Sequence, residues 1–348
     1  MLAVRKTKAG PGLELCETAL PDQPGPGEIL IEVAATGICG SDLHVEQWAA
    51  SYQRFMSDVL PVTLGHETAG RVIAVGAGVD TPRVGDRVVV NPAVGCGACS
   101  ACLAGTVDDC RNRQAIGMVK DGAFARYFLA PAAYAYVLPA NVSDELGALA
   151  EPLVTSAHAL VVAGMKPGLR VIVFGPGPIG QGTAVLARHM GAADVVVVGH
   201  DDAVRFETLR RLGFDRLVDV AEPGSATKLA ELAGEGFDIA IEASGAPPAV
   251  DQALGTLRAW GILAIPGMPE QPAKIDILRL VKNRLQIRGV SRQPHSAWVM
   301  VLDALAADPA AFAPMITHRL PLSRALEGFA LCNRREASKV LLIPDAIA

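Results

Sequence analysis

The sequence predicts an α/β chain of two domains, a β-rich half followed by a doubly wound parallel sheet, on three observations. At 348 residues it exceeds one ordinary core. The residue pattern changes near position 153. Beyond that point, short apolar runs alternate with helical stretches, as in a parallel sheet connected through helices.

The first half holds β runs broken by Gly and Pro: EILIEV from Glu28, ETAGRVIAVGAG from Glu67 and GDRVVV from Gly85, with Pro21 to Gly27 as a turn-rich spacer. The second half offers six buried strands, RVIVF, VVVVG, RLVDV, FDIAIEA, GILAIPG and LQIRGV. Between the first two, Ile179, Thr183, Leu186, Ala187 and Met190 recur at helical spacing, and Gly191 ends that helix. From about Ser291 the elements shorten, and a final apolar run, KVLLIP, is placed to rejoin the first domain as a strand. The expected division is therefore 1–153 with 291–348, and 154–290.

Composition narrows the function. Half the residues are hydrophobic and 19% are charged, which suits a soluble enzyme with a large core. The net charge of -5 comes with dispersed Lys and Arg, so no nucleic-acid footprint appears. No apolar stretch reaches the roughly 18 residues of a membrane span, and MLAVRKTKAG lacks the apolar core of a signal peptide. No membrane partner and a cytoplasmic location are expected. Four of seven cysteines fall between positions 96 and 110, a clustering that in a reducing compartment favours metal over disulfides.

Cys96, Cys99, Cys102 and Cys110 form C-x2-C-x2-C-x7-C, with glycines that let four thiolates converge. Four soft ligands in a closed shell suit a structural zinc with no open position for substrate. That lobe spans about 94–112. Three further pieces, GICGSDLH (37–44), GHET (65–68) and EPL (151–153), bring Cys39, His66, Glu67 and Glu151, which together suit a second metal site. In RVIVFGPGPIGQG, a strand runs through Gly175, Gly177 and Gly180 into a helix that opens with Pro178 and Ile179. The tight turn, the backbone approach to a pyrophosphate and the close helix–strand packing each require one of those glycines. Pro178 suits the first helical turn.

The order GICGSDLH, GHE, four-cysteine lobe, EP, GPGPIG resembles the zinc-containing medium-chain alcohol dehydrogenase family over nearly the whole chain. Glu151 stands where other branches carry a third ligand cysteine, so the sequence looks most like the polyol and threonine dehydrogenase branch. The resemblance implies a GroES-like β-rich catalytic domain and a Rossmann domain, two Zn2+ per chain and hydride transfer between a secondary alcohol, polyol or amino alcohol and NAD or NADP. It makes Cys39 and His66 direct ligands of the catalytic zinc, with Glu67 and Glu151 completing the shell directly or through water. Asp42 orients His66, and Ser41 with His44 relays the proton.

The position that in NAD enzymes carries an acid for the ribose hydroxyls is His200. Asp201 or Asp202 substitutes for it with a small shift, or His200 and Arg205 accept a 2'-phosphate; NAD is the favoured cofactor and NADP stays open. Ser244 in ASG, Gly267 in IPGM and Ser291 in SR match places where the family approaches the nicotinamide. A homodimer or homotetramer, pairing edge strands of the cofactor domains, is implied as well. Trp48, Tyr52 and Phe55 either line the substrate pocket or belong to the core, and Cys16 and Cys332 are expected to be packed. Two rival readings are a zinc-independent enoyl or quinone reductase and a zinc-binding scaffold without turnover.

Overall fold

The structure, a computed structural model, describes residues 1–345 apart from the Asp108 side chain. It divides into two compact units, Met1–Glu151 together with the chain from Ile316 onward, and Pro152–Met315.

The first unit is built on a sheet whose longest strand, Glu28–Gly37, alternates in burial, so that Ile29, Ile31, Val33 and Ala35 face the core. Strand order across this sheet is Ala135–Val137, Arg87–Val90, Glu67–Val75, Glu28–Gly37, Lys339–Ile343 and Ile316–Pro321, with Tyr127–Pro131 also pairing Glu28–Gly37. Two registers position the chemistry. Gly37 pairs with Glu67, which brings the chain end leading to Cys39 beside the His66–Glu67 dipeptide. Leu341 pairs antiparallel with Gly37, so two residues further along Lys339 comes level with Cys39. The final apolar run therefore does rejoin the first unit as a strand.

In the second unit all six expected strands form one parallel sheet. Its order, Leu217–Asp219, Asp194–Gly199, Arg170–Phe174, Phe237–Glu242, Leu257–Ile265, Gln286–Gly289, is 3-2-1-4-5-6 in chain sequence. That order reverses between the Arg170 and Phe237 strands, the switch point where ligands bind beyond the carboxyl ends. Ile172, Phe174, Val196 and Val198 lie on one buried face, with Val250 and Leu254 of helix Pro247–Thr256 in the same cluster. Val171, Val173 and Val197, on the alternate positions, are buried too, as a sheet covered on both faces demands.

The second boundary differs from expectation. The chain returns to the first unit at Ile316 and not near 291, because helix His295–Ala307 buries Ala297, Trp298, Val301 and Leu305 within the second unit. Among the described residues no single helix is long and apolar enough to cross a membrane; one bent pair, His295–Ala307 with Pro309–Met315, passes by composition, and those same buried residues belong to it. At the sheet edge, strand Gln286–Gly289 keeps Ile287 exposed, and Ile277, Leu278 and Val281 of the adjoining helix Ile277–Lys282 are more than 60% exposed.

Candidate active site and zinc lobe

In the lobe, the sulfurs of Cys96, Cys99, Cys102 and Cys110 all lie within 4.8 Å of one another. Cys96 Sγ is 4.0 Å from Cys102 Sγ, and the Cys96 N–H donates to Cys110 Sγ at 3.4 Å. A tetrahedral cation with metal–sulfur bonds of about 2.3 Å spaces its sulfurs by about 3.8 Å, so the donor set fits zinc. Gly97 supplies the turn with φ 72°. A Cβ on Gly95 would stand 2.6 Å from Val107 and 3.1 Å from Cys102 Sγ. Backbone N–H groups of Ala98 and Cys99 draw the Cys96 thiol down to about 6, and the Cys102 N–H lowers Cys99. Desolvation pushes Cys102 up to about 11. Backbone donors thus make Cys96 and Cys99 more acidic than ordinary thiols, and a bound cation would displace the protons that remain in the knot.

The second group forms where the strand Glu28–Gly37 runs into helix Gly40–Glu46. Cys39 is the residue before that helix, and its N–H donates to Asp42 Oδ2 at 2.9 Å, which fixes both. His66 follows Gly65, whose φ of 94° and contact with Phe124 leave no room for a side chain. Asp42 is fully buried and its Oδ1 faces His66 Nδ1 at 3.5 Å, while Ser41 Oγ lies 3.2 Å from His66 Nε2. Burial works against an imidazolium here, but the charges of Asp42 and Cys39 outweigh it and hold His66 well above its ordinary value.

Glu151, in the first turn of helix Ala150–Val162, keeps some surface accessible, yet its carboxyl is closely enough enclosed that desolvation pushes it up to about 7. His66 and Lys339 pull that value back, whereas Glu67 and Asp42 raise it. Among the described residues the cysteine quartet alone gathers three or more candidate ligand atoms within 4.8 Å, so Cys39, His66 and Glu151 stand further apart. Thiolate, imidazole and carboxylate remain a donor set that zinc accepts, and Asp42 Oδ1 and His66 Nδ1 are buried without a hydrogen-bond partner.

Glu67, expected to complete the ligand shell directly or through water, is paired here with Lys339. Both its oxygens accept from Lys339 Nζ, at 2.8 and 2.6 Å, and Lys339 also donates to the Ile38 carbonyl at 3.0 Å. Glu67 and Lys339 are essentially inaccessible, and a carboxylate so enclosed needs a counter-charge. Burial disfavours the ammonium, but Glu67 and Cys39 hold its pKa above the ordinary value. Sequence reasoning missed Lys339; the available signal was a lysine opening an apolar strand. The relay pair is also arranged differently from expectation. Ser41 turns to His66, while His44 stacks on buried Tyr52, ring centroids 5.8 Å apart. Tyr52 packs in the core cluster that Trp48 adjoins, and Phe55 is 40% exposed. Cys332 is buried, and Cys16 only partly so.

In the second unit each glycine of the motif has its own reason. Gly175 adopts φ 111° and its Cβ would meet Ser244 N at 2.8 Å. A Cβ on Gly180 would strike the Gly175 carbonyl, whereas Gly177 faces open space at the start of helix Pro178–His189, with Pro178 in its first turn. The Ile179 carbonyl accepts from Thr183 and Ser156 and so fastens that turn. After strand Asp194–Gly199, His200 is exposed, the Asp201 N–H donates to Asp219 Oδ1 at 2.9 Å, and Asp202 caps the next helix. Arg205 does not stand ready for a phosphate: its Nη1 is 2.9 Å from Asp202 Oδ2. Ser244 and Gly267 lie beyond the ends of their strands beside the switch point, and exposed Ser291 follows the edge strand.

Two family models match the chain, the alcohol dehydrogenase GroES-like domain over residues 25–140 and the zinc-binding dehydrogenase over residues 178–307. An L-threonine 3-dehydrogenase of Saccharopolyspora erythraea is 36% identical over 345 residues, 98% of either chain. Among solved structures, an NADP-bound zinc-binding dehydrogenase from Sinorhizobium meliloti superposes with a TM-score of 0.86 at 30% identity, covering 99% of each chain. The 2R,3R-butanediol dehydrogenase of Bacillus subtilis gives 0.88 at 27%, again over 99% of each. The fold and the donor sets thus define an NAD(P)-dependent zinc oxidoreductase acting on an alcohol carbon. The chain belongs to the zinc-dependent medium-chain alcohol dehydrogenase family.

The Glu67–Lys339 pair generates a prediction. Lys339→Met strands a buried carboxylate and should cost about 3–5 kcal/mol in urea unfolding of the zinc-loaded protein. The double variant Lys339→Met/Glu67→Gln should recover at least half of that loss. A single variant of ordinary stability would show that the pair does not hold the strands.

Proposed function

We propose that this enzyme oxidises the secondary hydroxyl of a small amino alcohol of the L-threonine kind, with NAD as hydride acceptor. The observation that carries the reading is the enclosed set Cys39, His66 and Glu151, with Asp42 and Ser41 against the two nitrogens of His66. The substrate class is supported by the relatives named L-threonine 3-dehydrogenase, which match over the full length at 33–36% identity. Polyols and diols are the second reading, favoured by the likeness to the butanediol dehydrogenase.

Cys39, His66 and Glu151 would hold the catalytic zinc, and the cysteine quartet the structural one. When bound, zinc supplies a Lewis acid that makes a substrate hydroxyl acidic near neutral pH. Asp42 occupies the Nδ1 side of His66 and leaves Nε2 as the ligand nitrogen. Ser41 now holds that nitrogen at 3.2 Å, and a metal taken up there would free its hydroxyl to receive the substrate proton. His44 lies three residues on, on the same helix face and half-buried, where it can pass the proton to water. Lys339 keeps Glu67 behind Cys39, so Glu67 acts on the site through charge.

The cofactor preference follows from the acids after Gly199. Arg205 is engaged by Asp202, and Asp201 and Asp219 lie close by, an environment that suits ribose hydroxyls and disfavours a 2'-phosphate. The exposed apolar residues of helix Ile277–Lys282, beside the unpaired edge strand Gln286–Gly289, suit a second copy of this chain, giving a homodimer or homotetramer. The reduced thiols of the lobe suit the cytoplasm.

Four outcomes check this reading. In a spectrophotometric panel, L-threonine should be oxidised faster than butane-2,3-diol or sorbitol, with kcat/KM for NAD at least about tenfold above NADP. Bound zinc should measure two per chain, and Cys39→Ala should lose one zinc and about a thousandfold in turnover with melting little changed; activity retained with one zinc removes the assignment. Gly177→Ala should keep wild-type stability but weaken NADH binding about tenfold or more, whereas Gly180→Ala should lower stability as well; equal melting of the two variants would contradict their separate roles. Light scattering should give a dimer or tetramer, and a monomer at micromolar concentration would end the edge-strand proposal.

A further inference from the structure

Glu242 is the last residue of strand Phe237–Glu242 and pairs with Phe174, one residue before Gly175. It therefore stands at the switch point of the sheet, at the floor of the crevice where the nucleotide motif begins. Its side chain is fully buried, and two backbone N–H groups and one hydroxyl donate to it. Glu242 Oε1 accepts from the Ser244 N–H at 2.8 Å, from the Gly245 N–H at 3.0 Å and from the Ser244 hydroxyl. Its own carbonyl accepts from the Gly267 N–H at 3.0 Å. A Cβ on Gly267 would collide with Glu242 Oε2, and one on Gly175 would meet Ser244 N at 2.8 Å. The carboxyl group thus fixes the turn after the fourth strand and packs against Gly267 of the loop after the fifth, and that turn in its own right abuts Gly175 after the first.

Three donors converge on one carboxyl oxygen, so this arrangement fixes the turn more firmly than a single backbone contact. Burial raises the Glu242 carboxyl, and the Ser244 and Gly245 donors work against that rise. An acid kept in such a place, touching none of the six residues of the glycine motif directly through its oxygens, acts through the loops it holds.

We propose that Glu242 is a positioning residue for the nicotinamide half of the cofactor: it sets the height of Ser244–Gly245 and the path of Gly267, the surface on which the ring lies. The proposal rests on the reading of Gly175–Gly180 as the dinucleotide motif. The adenosine half, bound beyond strand Asp194–Gly199, does not depend on these loops. That separation provides a readout which a merely structural role would not give.

The test compares two probes on the full-length protein, ADP-ribose by calorimetry and NADH by fluorescence. Glu242→Ala should weaken NADH about tenfold or more while leaving ADP-ribose within about twofold, and Glu242→Gln, which keeps an acceptor at the Oε1 position, should restore most of the NADH affinity. Should Glu242→Ala not fold, Gly267→Ala displaces the same carboxylate and should show the same split. Parallel loss of both ligands, or no loss of either, overturns the positioning role. A wild-type protein that binds neither probe overturns the dinucleotide reading beneath it.

Discussion

The ion pair between Glu67 and Lys339 joins residues 272 apart in sequence inside a region from which water is shut out. Two strands meet there from opposite ends of the chain. Glu67 opens one neighbour of strand Glu28–Gly37, and Lys339 opens the other. Because a buried carboxylate alone is far more costly than a buried pair, the last strand has to return to the first unit for the region around Cys39 and His66 to be tolerable. The discontinuous first unit is thus an electrostatic requirement as much as a matter of sheet pairing. Ile38, held by the same ammonium, fixes the backbone immediately before Cys39.

The two units supply different physics. In the first, side chains of opposite charge are confined at short range. In the second, nearly everything at the nucleotide motif is backbone, and glycine decides how closely strand, turn and helix approach. Gly180 is excluded from bearing a side chain by protein, and Gly177 is not. The open space at Gly177, at the start of a twelve-residue helix, is where backbone N–H groups can meet an anion.

Much of this was legible in the sequence because it is local. The glycine spacing, the cysteine quartet and the six strands are each fixed by residues within a few positions of one another, and the structure has all three. Lys339 was not legible: a lysine at the edge of an apolar run ordinarily reads as the solvated end of a strand, and only the pairing of residue 341 with residue 37 turns it inward. The same holds for Glu242, whose three donors lie within three residues but whose burial depends on the loop at Gly267. The boundary near 291 was misplaced since helix His295–Ala307 has a short mixed pattern on either side, and its attachment to the second unit is a tertiary fact. Arg205 was expected to take a 2'-phosphate, although its three-residue step from Asp202 is the spacing at which such ion pairs form on a helix.

The chain's own charges argue for a metal at the second site independently of any likeness. Around His66 lie Cys39, Asp42, Glu67 and Glu151, all groups that become negative or stay neutral, against Lys339 as the one permanent cation among the residues that perturb them. Lys339 is already matched by Glu67. What remains is a thiol, an imidazole and two carboxyl groups enclosed together, with Asp42 Oδ1 and His66 Nδ1 lacking a hydrogen-bond partner. Without a further cation such a group must take up protons to balance itself, which is the direction in which both His66 and Glu151 are displaced. A divalent ion removes that need and permits thiolate, neutral imidazole and carboxylate at once. The surplus of acid is therefore of the kind a divalent cation would largely offset, three negative charges against two positive.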